Sequence, residues 1–101
     1  MTARVVVLPA DLDQALADRI RPVVTETIDA GRDLVIDMRA AGTIDSAGLG
    51  LLVRAHRSAK QRGATLSLVG PSRFVLTVLH TMRLDGVFTI RGEEEPEEAA
   101  A

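Results

Sequence analysis

The 101-residue sequence contains no cysteine, tryptophan or tyrosine, and its only aromatic side chains are Phe74 and Phe88. Without cysteine, the chain can form neither a disulfide framework nor a thiolate metal site, and this composition fits a reducing compartment. Two phenylalanines provide no aromatic platform on which the bases of a nucleic acid could stack.

Long apolar runs are also missing. No segment approaches the roughly 20 consecutive apolar residues that a membrane-spanning helix needs, and the N-terminus has no hydrophobic signal-peptide core. We therefore expect a soluble, cytoplasmic protein that does not associate with the membrane.

The net charge of −2 hides an uneven distribution of charge along the chain. Five of the 14 acidic residues lie in the last ten positions, which leaves nine acidic residues against 12 basic ones in the rest. This small positive excess is not the dense Lys/Arg face that nucleic-acid binding needs, so we expect no nucleic-acid partner. The chain is long enough for one domain, predicted at 1–91, and 92–101 is predicted to be an acidic, disordered tail.

Short apolar runs alternate with longer amphipathic segments along the domain. Strands are predicted at 5–8, 34–38, 66–69 and 87–90, and helical spacing lies between them. Strands that alternate with helices indicate parallel crossover connections. The sequence therefore predicts an α/β fold in which a mixed, mostly parallel sheet of about four strands has about three helices packed against it.

The sequence also predicts which faces of the strands and helices are buried and where the first helix is interrupted. The valine-rich first run is predicted to be covered on both faces. Pro22 interrupts the helical pattern of 12–30 at a cost of about 3 kcal/mol or more, so a separate turn is predicted up to Arg21, with Pro22 in the first turn of the main helix. The second helix is predicted to place Leu49, Leu52, Val53, His56 and Ala59 or Lys60 on one face. The third is predicted to begin at a Ser72 cap and to bury Val75, Leu76, Leu79 and Met82.

The residues that carry chemistry lie in the loop 40–46, beyond the carboxyl end of the second predicted strand, where functional loops of parallel sheets are found. A nucleophilic Ser46 would need a base, but Ile44 breaks the G-x-S-x-G pattern and His56 lies about three turns along the helix. Both histidines are interpreted as half-buried helix residues. No group of side chains has metal-ligand spacing, and Gly48-Leu49-Gly50 matches no nucleotide-binding glycine motif. We expect no catalytic residue, metal or cofactor, and hence no enzyme.

Asp45 and Ser46 allow two interpretations that are compatible with each other. Either residue could cap the following helix by accepting a backbone N–H. Ser46 could also be a phosphorylation site, because a helix N-terminus tolerates an added anion and the fold should survive the modification. A partner docked on the turn would then meet new negative charge beside Asp45.

The segment IDSAGLGLL, after the strand LVIDM and before LSLVGPSRFVLTVLHTMRLDGVFTI, resembles the anti-sigma factor antagonist (STAS domain) family of bacteria. The resemblance covers about residues 5–91. It implies a regulatory protein that binds an anti-sigma factor, a GHKL-type serine kinase, and so frees a sigma factor. The kinase would use ATP to phosphorylate the serine after the aspartate, Ser46, and end the binding. A PP2C-type phosphatase would reverse the modification.

We expect the protein to be a monomer or a weak dimer. The same resemblance implies a partner-binding surface. Its expected residues are Asp13, Asp45, Ser46, Ala47, Gly48, Leu49, Gly50, Leu51 and Arg54. Ala47 stands where the family often has a second Ser or Thr, which leaves Ser46 as the only acceptor of the motif. Other departures are Pro9-Ala10 in place of a usual glycine, an N-terminus one strand short, and an acidic tail in place of a C-terminal helix.

A second function stays open from the sequence. STAS-like domains also serve as constitutive scaffold subunits of larger bacterial assemblies, as in stress-sensing or lipid-transport complexes. The intact Asp45-Ser46 pair favours the switching function, because a scaffold does not need a serine at this position.

Overall fold

The computed structural model describes residues 2–84 and 86–92 of the chain. Asp85, and positions 93–101 of the acidic tail predicted at 92–101, lie outside these residues. The described chain alternates between strands and helices: β1 (Arg4–Val7), α1 (Gln14–Asp29), β2 (Leu34–Asp37), α2 (Ser46–Gln61), β3 (Leu66–Val69), α3 (Arg73–Thr81) and β4 (Thr89–Arg91).

The four strands form one sheet in the order β1-β2-β3-β4, and all three strand pairings are parallel. The prediction of an α/β fold with about four strands and three helices is confirmed, and the described strands contain no antiparallel pair. Each crossover advances by one strand in the same direction, and right-handed crossovers of this kind put their helices on one face of the sheet. Apolar side chains of that face form the core with the helices; among them are Leu34, Ile36, Leu66 and Leu68.

The strand β1 is not covered on both faces, so that prediction is wrong. Val5 and Val7 are 39% and 63% exposed, whereas Val6 packs against the core. β1 lies at the edge of the sheet, while β2 is buried along its whole length between two neighbours. A run of valines has the same pattern in an edge strand as in a central strand, and only the strand order separates the two cases.

Helix α1 runs from Gln14 to Asp29 without a break, and Pro22 lies inside it. The prediction of a separate turn before Pro22 is therefore wrong. Buried residues on both sides of the proline hold the two halves against one core: Leu16 and Ala17 precede it, and Val24, Thr27 and Ile28 follow it. This burial outweighs the cost of about 3 kcal/mol for an interior proline, whose ring is on the exposed side of the helix.

Helices α2 and α3 each bury part of the face predicted for them. The buried residues of α2 are Gly48, Leu51, Leu52, Ala55 and Ala59. Burial of Leu52 and Ala59 agrees with the prediction, as does the half-burial of His56, whereas Leu49 and Val53 are only half-buried at one edge of this face. In α3 the Ser72 cap is confirmed, together with the burial of Val75 and Leu79. Leu76 and Met82 were predicted to be buried but are 42% and 56% exposed.

Candidate functional site

All three helices begin at the carboxyl edge of the parallel sheet, so their N-termini lie together there. Each helix has a side-chain N-cap: Asp13 Oδ1 accepts from Leu16 N at 2.9 Å, Asp45 Oδ1 from Gly48 N at 2.9 Å, and Ser72 Oγ from Val75 N at 3.1 Å. Unpaired backbone N–H groups at a helix start are satisfied by such oxygens. The three caps fix the point at which each helix leaves its loop.

The loop after β1 is joined to the loop after β2. Leu12 N donates to Thr43 O and Asp45 N donates to Leu12 O, both at 3.1 Å, and Leu12 and Ile44 form an isolated parallel bridge. Asp11 Oδ1 accepts from Gly42 N at 2.8 Å and from Thr43 N at 3.1 Å. Hydrogen bonds from Thr43, and then from Gly42, lower the pKa of Asp11 below its usual value. The two loops therefore form one continuous surface in front of α2.

Asp45 caps two helices at once. Its Oδ1 accepts from Gly48 N in α2, and its Oδ2 accepts from Gln14 N, the first residue of α1, at 3.2 Å. A carboxylate has enough acceptor sites for both bonds, and its charge is favourable near the positive end of each helix dipole. The aspartate of the Asp-Ser pair thus links α1 to α2.

Ser46 is the first residue of α2 and is exposed. Asp45 performs the capping, so of the two capping residues that the sequence allowed the structure selects the aspartate. Within 2–84 and 86–92, the Ser46 hydroxyl makes no hydrogen bond. Phosphorylation of Ser46 stays a prediction, and the fold makes no structural use of the group that would be modified.

The two glycines of the motif have different surroundings. A Cβ at Gly48 would lie 2.5 Å from Leu12 O and 2.7 Å from Leu12 Cγ, so only glycine lets α2 approach the loop after β1 this closely. A Cβ at Gly50 would meet the Arg54 guanidinium, the flexible end of a side chain, at 3.3 Å. Gly48 is required by packing, whereas Gly50 is covered by Arg54.

The predicted partner-binding residues fall into three groups by exposure. Asp13, Asp45, Ser46 and Arg54 are exposed around the start of α2. Ala47, Leu49 and Gly50 are half-buried on the same helix. Gly48 and Leu51 are buried, since both face the core side of α2. Contact between a partner and any of these residues stays a prediction, and the burial of Gly48 and Leu51 gives them packing roles.

Several residues that shape this surface were not expected from the sequence. Ser72 Oγ donates to Gly42 O at 2.7 Å, so the cap of α3 also holds the loop after β2. Asp11 accepts hydrogen bonds from the amides of Gly42 and Thr43 and so fixes the same loop. These bonds join residues about thirty positions apart, and no local pattern in the sequence indicates them.

An ion pair between the buried Asp37 and the exposed Arg39 lies at the end of β2. The Asp37 carboxylate accepts from Arg39 Nε at 2.9 Å and from Arg39 Nη2 at 2.6 Å, and only 4% of the Asp37 side chain is exposed. The side-chain hydrogen bonds from Arg39 hold the pKa of Asp37 below its usual value, although burial alone would raise it. Gly70 has a positive φ of 62°, and a Cβ there would overlap the side chain of Arg39.

The histidines have no geometry that assists Ser46. His56 stacks edge-on against Phe88 with ring centroids 5.4 Å apart, and it lies about 15 Å along the helix from Ser46. His80 is exposed, so its predicted half-burial is wrong. The described part of the chain contains no group of three or more His, Asp or Glu side chains arranged to hold a metal ion. None of its helices has the length and apolar character needed to cross a bilayer.

A cavity of about 190 Å³ lies between α1 and α2, away from Ser46. Its lining includes Val24, Ile28, Leu51 and Ala55, which belong to the interface between the two helices. We assign it no role at the turn.

The family model of the STAS domain matches residues 2–97, almost the whole chain. The chain belongs to the STAS domain family. No curated protein matches it in sequence.

Solved structures of several STAS-type proteins are similar to this chain. The Thermotoga maritima protein TM1081, assigned as an anti-sigma factor antagonist, is 26% identical with a TM-score of 0.77, covering 95% of this chain and 84% of that one. The anti-sigma factor antagonist SpoIIAA in its unphosphorylated form is 24% identical with a TM-score of 0.69, covering 97% and 84%. Phosphorylated SpoIIAA of Bacillus is 22% identical with a TM-score of 0.75, covering 97% and 87%.

A protein with a different described role has the same fold. A sulfate transporter family protein of Wolinella succinogenes is 20% identical with a TM-score of 0.79, and the match covers 97% of this chain and 82% of that one. Similarity at this level of identity shows the fold alone. Function must therefore be argued from the turn at Asp45 and Ser46.

Proposed function

We propose that this STAS domain is an anti-sigma factor antagonist. In this proposal it binds an anti-sigma factor serine kinase of the GHKL type and thereby frees a sigma factor. Phosphorylation of Ser46 ends the binding, and a PP2C-type phosphatase restores it. The protein acts by binding and does not itself catalyse a reaction.

The observation that carries this proposal is the division of roles between Asp45 and Ser46. Asp45 caps α1 and α2, whereas the neighbouring Ser46 hydroxyl is exposed and makes no hydrogen bond in the described part of the chain. A kinase can reach such a hydroxyl without unfolding the helix. The modification would leave the hydrogen bonds that hold the turn intact.

The charge of a phosphate supports the same conclusion. A phosphoserine carries about −1.5 to −2 charges, which the positive end of the α2 dipole favours. On the outer surface the same charge adds to Asp13 and Asp45, which are exposed at the start of the helices. A partner surface docked there would lose affinity through electrostatic repulsion or desolvation, while the domain would keep its stability.

Intact-mass spectrometry after incubation with ATP and candidate GHKL-type kinases tests the proposal. We expect the wild-type protein and Ser58→Ala to gain one phosphate, and Ser46→Ala to gain none. Ser58 is an exposed serine on the same helix, about 18 Å further along, and serves as a matched control. Phosphate on Ser46→Ala, or a kinase that binds tightly and leaves Ser46 unmodified, would contradict the proposal.

The alternative is a constitutive scaffold subunit of a larger bacterial assembly, because the STAS fold does not by itself require a phosphorylation switch. A scaffold would bind its partner equally well whatever the charge at position 46. We expect Ser46→Asp to weaken kinase binding while its melting temperature stays near that of the wild type. Undiminished binding by folded Ser46→Asp would support the scaffold function.

A further inference from the structure

The outer face of α2 continues well beyond Ser46. Leu49, Val53, His56 and Lys60 follow at helical spacing along one side of this face, and Arg57 lies between them on the exposed surface. Leu49 and Val53 pack against the core with part of their side chains still accessible. A path of partly exposed apolar side chains therefore extends along α2 from Ser46, where a partner could contact it.

This path leads into a groove of about 540 Å³ between α2 and the segment before β4. Its apolar lining consists of Val53, Leu84 and Val87, all partly buried against the core. The ring of His56 forms part of the wall and is held by its edge-on contact with the buried Phe88. The groove is thus supported by residues that the fold already fixes.

The polar side of the groove is cationic. Arg57 and Lys60 line it, and neither forms an ion pair within 2–84 and 86–92. The described residues that line it include no Asp or Glu; Asp85, which follows Leu84, is outside the described part. Apolar side chains beside unpaired cations are complementary to a segment that combines apolar and acidic residues.

We propose that this groove is the second half of the kinase-docking surface and that it takes an acidic, apolar segment of the anti-sigma factor. The proposal rests on the proposed function, since it names the same partner as the turn at Ser46. It adds the chemistry of the partner segment and the residues that receive it: Val53, His56, Arg57, Lys60, Leu84 and Val87.

The spacing of the two contacts has a measurable consequence. Ser46 and Arg57 are 11 residues apart, about 16 Å along the helix, which exceeds the Debye length of about 8 Å at physiological salt. A phosphate at Ser46 therefore does not neutralise the groove directly. The effects of charge at the two positions should add in free energy, as they do for independent sites.

The first experiment measures the dissociation constant of the kinase that phosphorylates Ser46, by isothermal titration calorimetry at two salt concentrations. We expect Arg57→Glu and Lys60→Glu each to weaken binding about fivefold to tenfold and to reduce its salt dependence. Arg19→Glu, an exposed charge reversal on α1, should bind as the wild type does. The losses in Arg57→Glu and Ser46→Asp should multiply in the double variant. Wild-type affinity of folded Arg57→Glu and Lys60→Glu would overturn the proposal.

The second experiment tests the groove without the kinase. The probe is a synthetic helical peptide of leucine and glutamate, and the control replaces each glutamate with lysine. In ¹⁵N-labelled protein, we expect the acidic peptide to shift the amide signals of Val53, His56 and Val87, and the basic peptide to leave them unchanged. Absence of these shifts would overturn the groove chemistry. If no kinase modified Ser46 while the acidic peptide still bound here, the proposed function and the kinase as the partner of the groove would fail, whereas the preference of the groove for an acidic, apolar segment would be confirmed.

Discussion

Gly48 and Gly50 differ in the atoms that an added Cβ would contact. A Cβ at Gly48 would collide with Leu12 O and Leu12 Cγ, whereas one at Gly50 would meet only the flexible end of Arg54. We expect Gly48→Ala to destabilise the domain by about 1–3 kcal/mol through overpacking. Gly50→Ala, the matched control, should be neutral or stabilising by up to about 1 kcal/mol, because alanine favours helix. Urea unfolding measures both, and equal effects would contradict the packing role of Gly48.

Asp45 holds two helix starts, whereas Asp13 holds one. We expect Asp45→Ala to cost about 1–2 kcal/mol of unfolding free energy and Asp13→Ala about 1 kcal/mol, since only the former leaves two N–H groups without their acceptor. Asp45→Asn keeps an acceptor oxygen and should cost less than Asp45→Ala. Equal losses for Asp45→Ala and Asp13→Ala in chemical denaturation would show that the bond to Gln14 contributes nothing.

At the scale of the element, α1 carries a proline that its packing tolerates. Pro22 provides no N–H for the helix, and its ring is exposed. We expect Pro22→Ala to stabilise the domain by about 1–3 kcal/mol, after allowance for the greater entropy of the unfolded chain. Thr25→Ala, an exposed position one turn later, controls for helix propensity alone and should change stability by a few tenths of a kcal/mol. A Pro22→Ala protein no more stable than Thr25→Ala would contradict this account.

Element order and type could be predicted from the sequence, because apolar periodicity and capping residues such as Ser72 are local signals. The buried faces were harder to predict. In α2, Gly48, Ala55 and Ala59 are buried together with Leu51 and Leu52, whereas Leu49 and Val53 lie at the edge of this face. A hydrophobicity scale ranks Leu49 and Val53 above glycine and alanine. The close approach of α2 to its neighbours nevertheless depends on the small residues. Exposure of Leu76 and Met82 likewise depends on neighbours distant in the sequence.

The candidate site also has features that could be predicted from the sequence and features that could not. The sequence located Ser46 and offered Asp45 as a cap, since both signals lie within a few residues. The second bond of Asp45 to Gln14, the clamp of Asp11 on Gly42 and Thr43, and the bond from Ser72 to Gly42 all join distant segments. The groove before β4 depends on the packing of the segment that contains Leu84 against α2 and was not foreseen.

At the scale of the whole molecule, acid should weaken the fold through its paired carboxylates. The pKa values of Asp37, Asp11 and Asp18 are lowered in the folded state, chiefly by hydrogen bonds from Arg39, Thr43 and Arg21 respectively. As pH falls, the unfolded chain takes up these protons first, near the usual value of 3.8. Their stabilising contribution is therefore complete above that pH and is lost as pH falls through the lowered pKa values.

Asp37 is the buried member of this group and gives the clearest test. We expect Asp37→Asn to be less stable than the wild type at pH 7 and to approach it at pH 3, because the wild type loses its ion pair in acid. Glu26→Gln removes an exposed carboxylate of α1 that forms no ion pair in the described part of the chain, and it serves as the control for a change of net charge. Urea unfolding at both pH values measures the difference, and a gap that is the same at both would contradict the assignment.

The central claim is that a phosphate on Ser46 blocks partner binding and leaves the fold intact. The most direct test is the dissociation constant of one kinase for the unphosphorylated protein and for the Ser46-phosphorylated protein, with equal melting temperatures confirmed for the two forms. We predict that phosphorylation weakens binding by at least about tenfold, in the range expected for a coupled switch. Equal affinities in two equally stable forms would contradict the account.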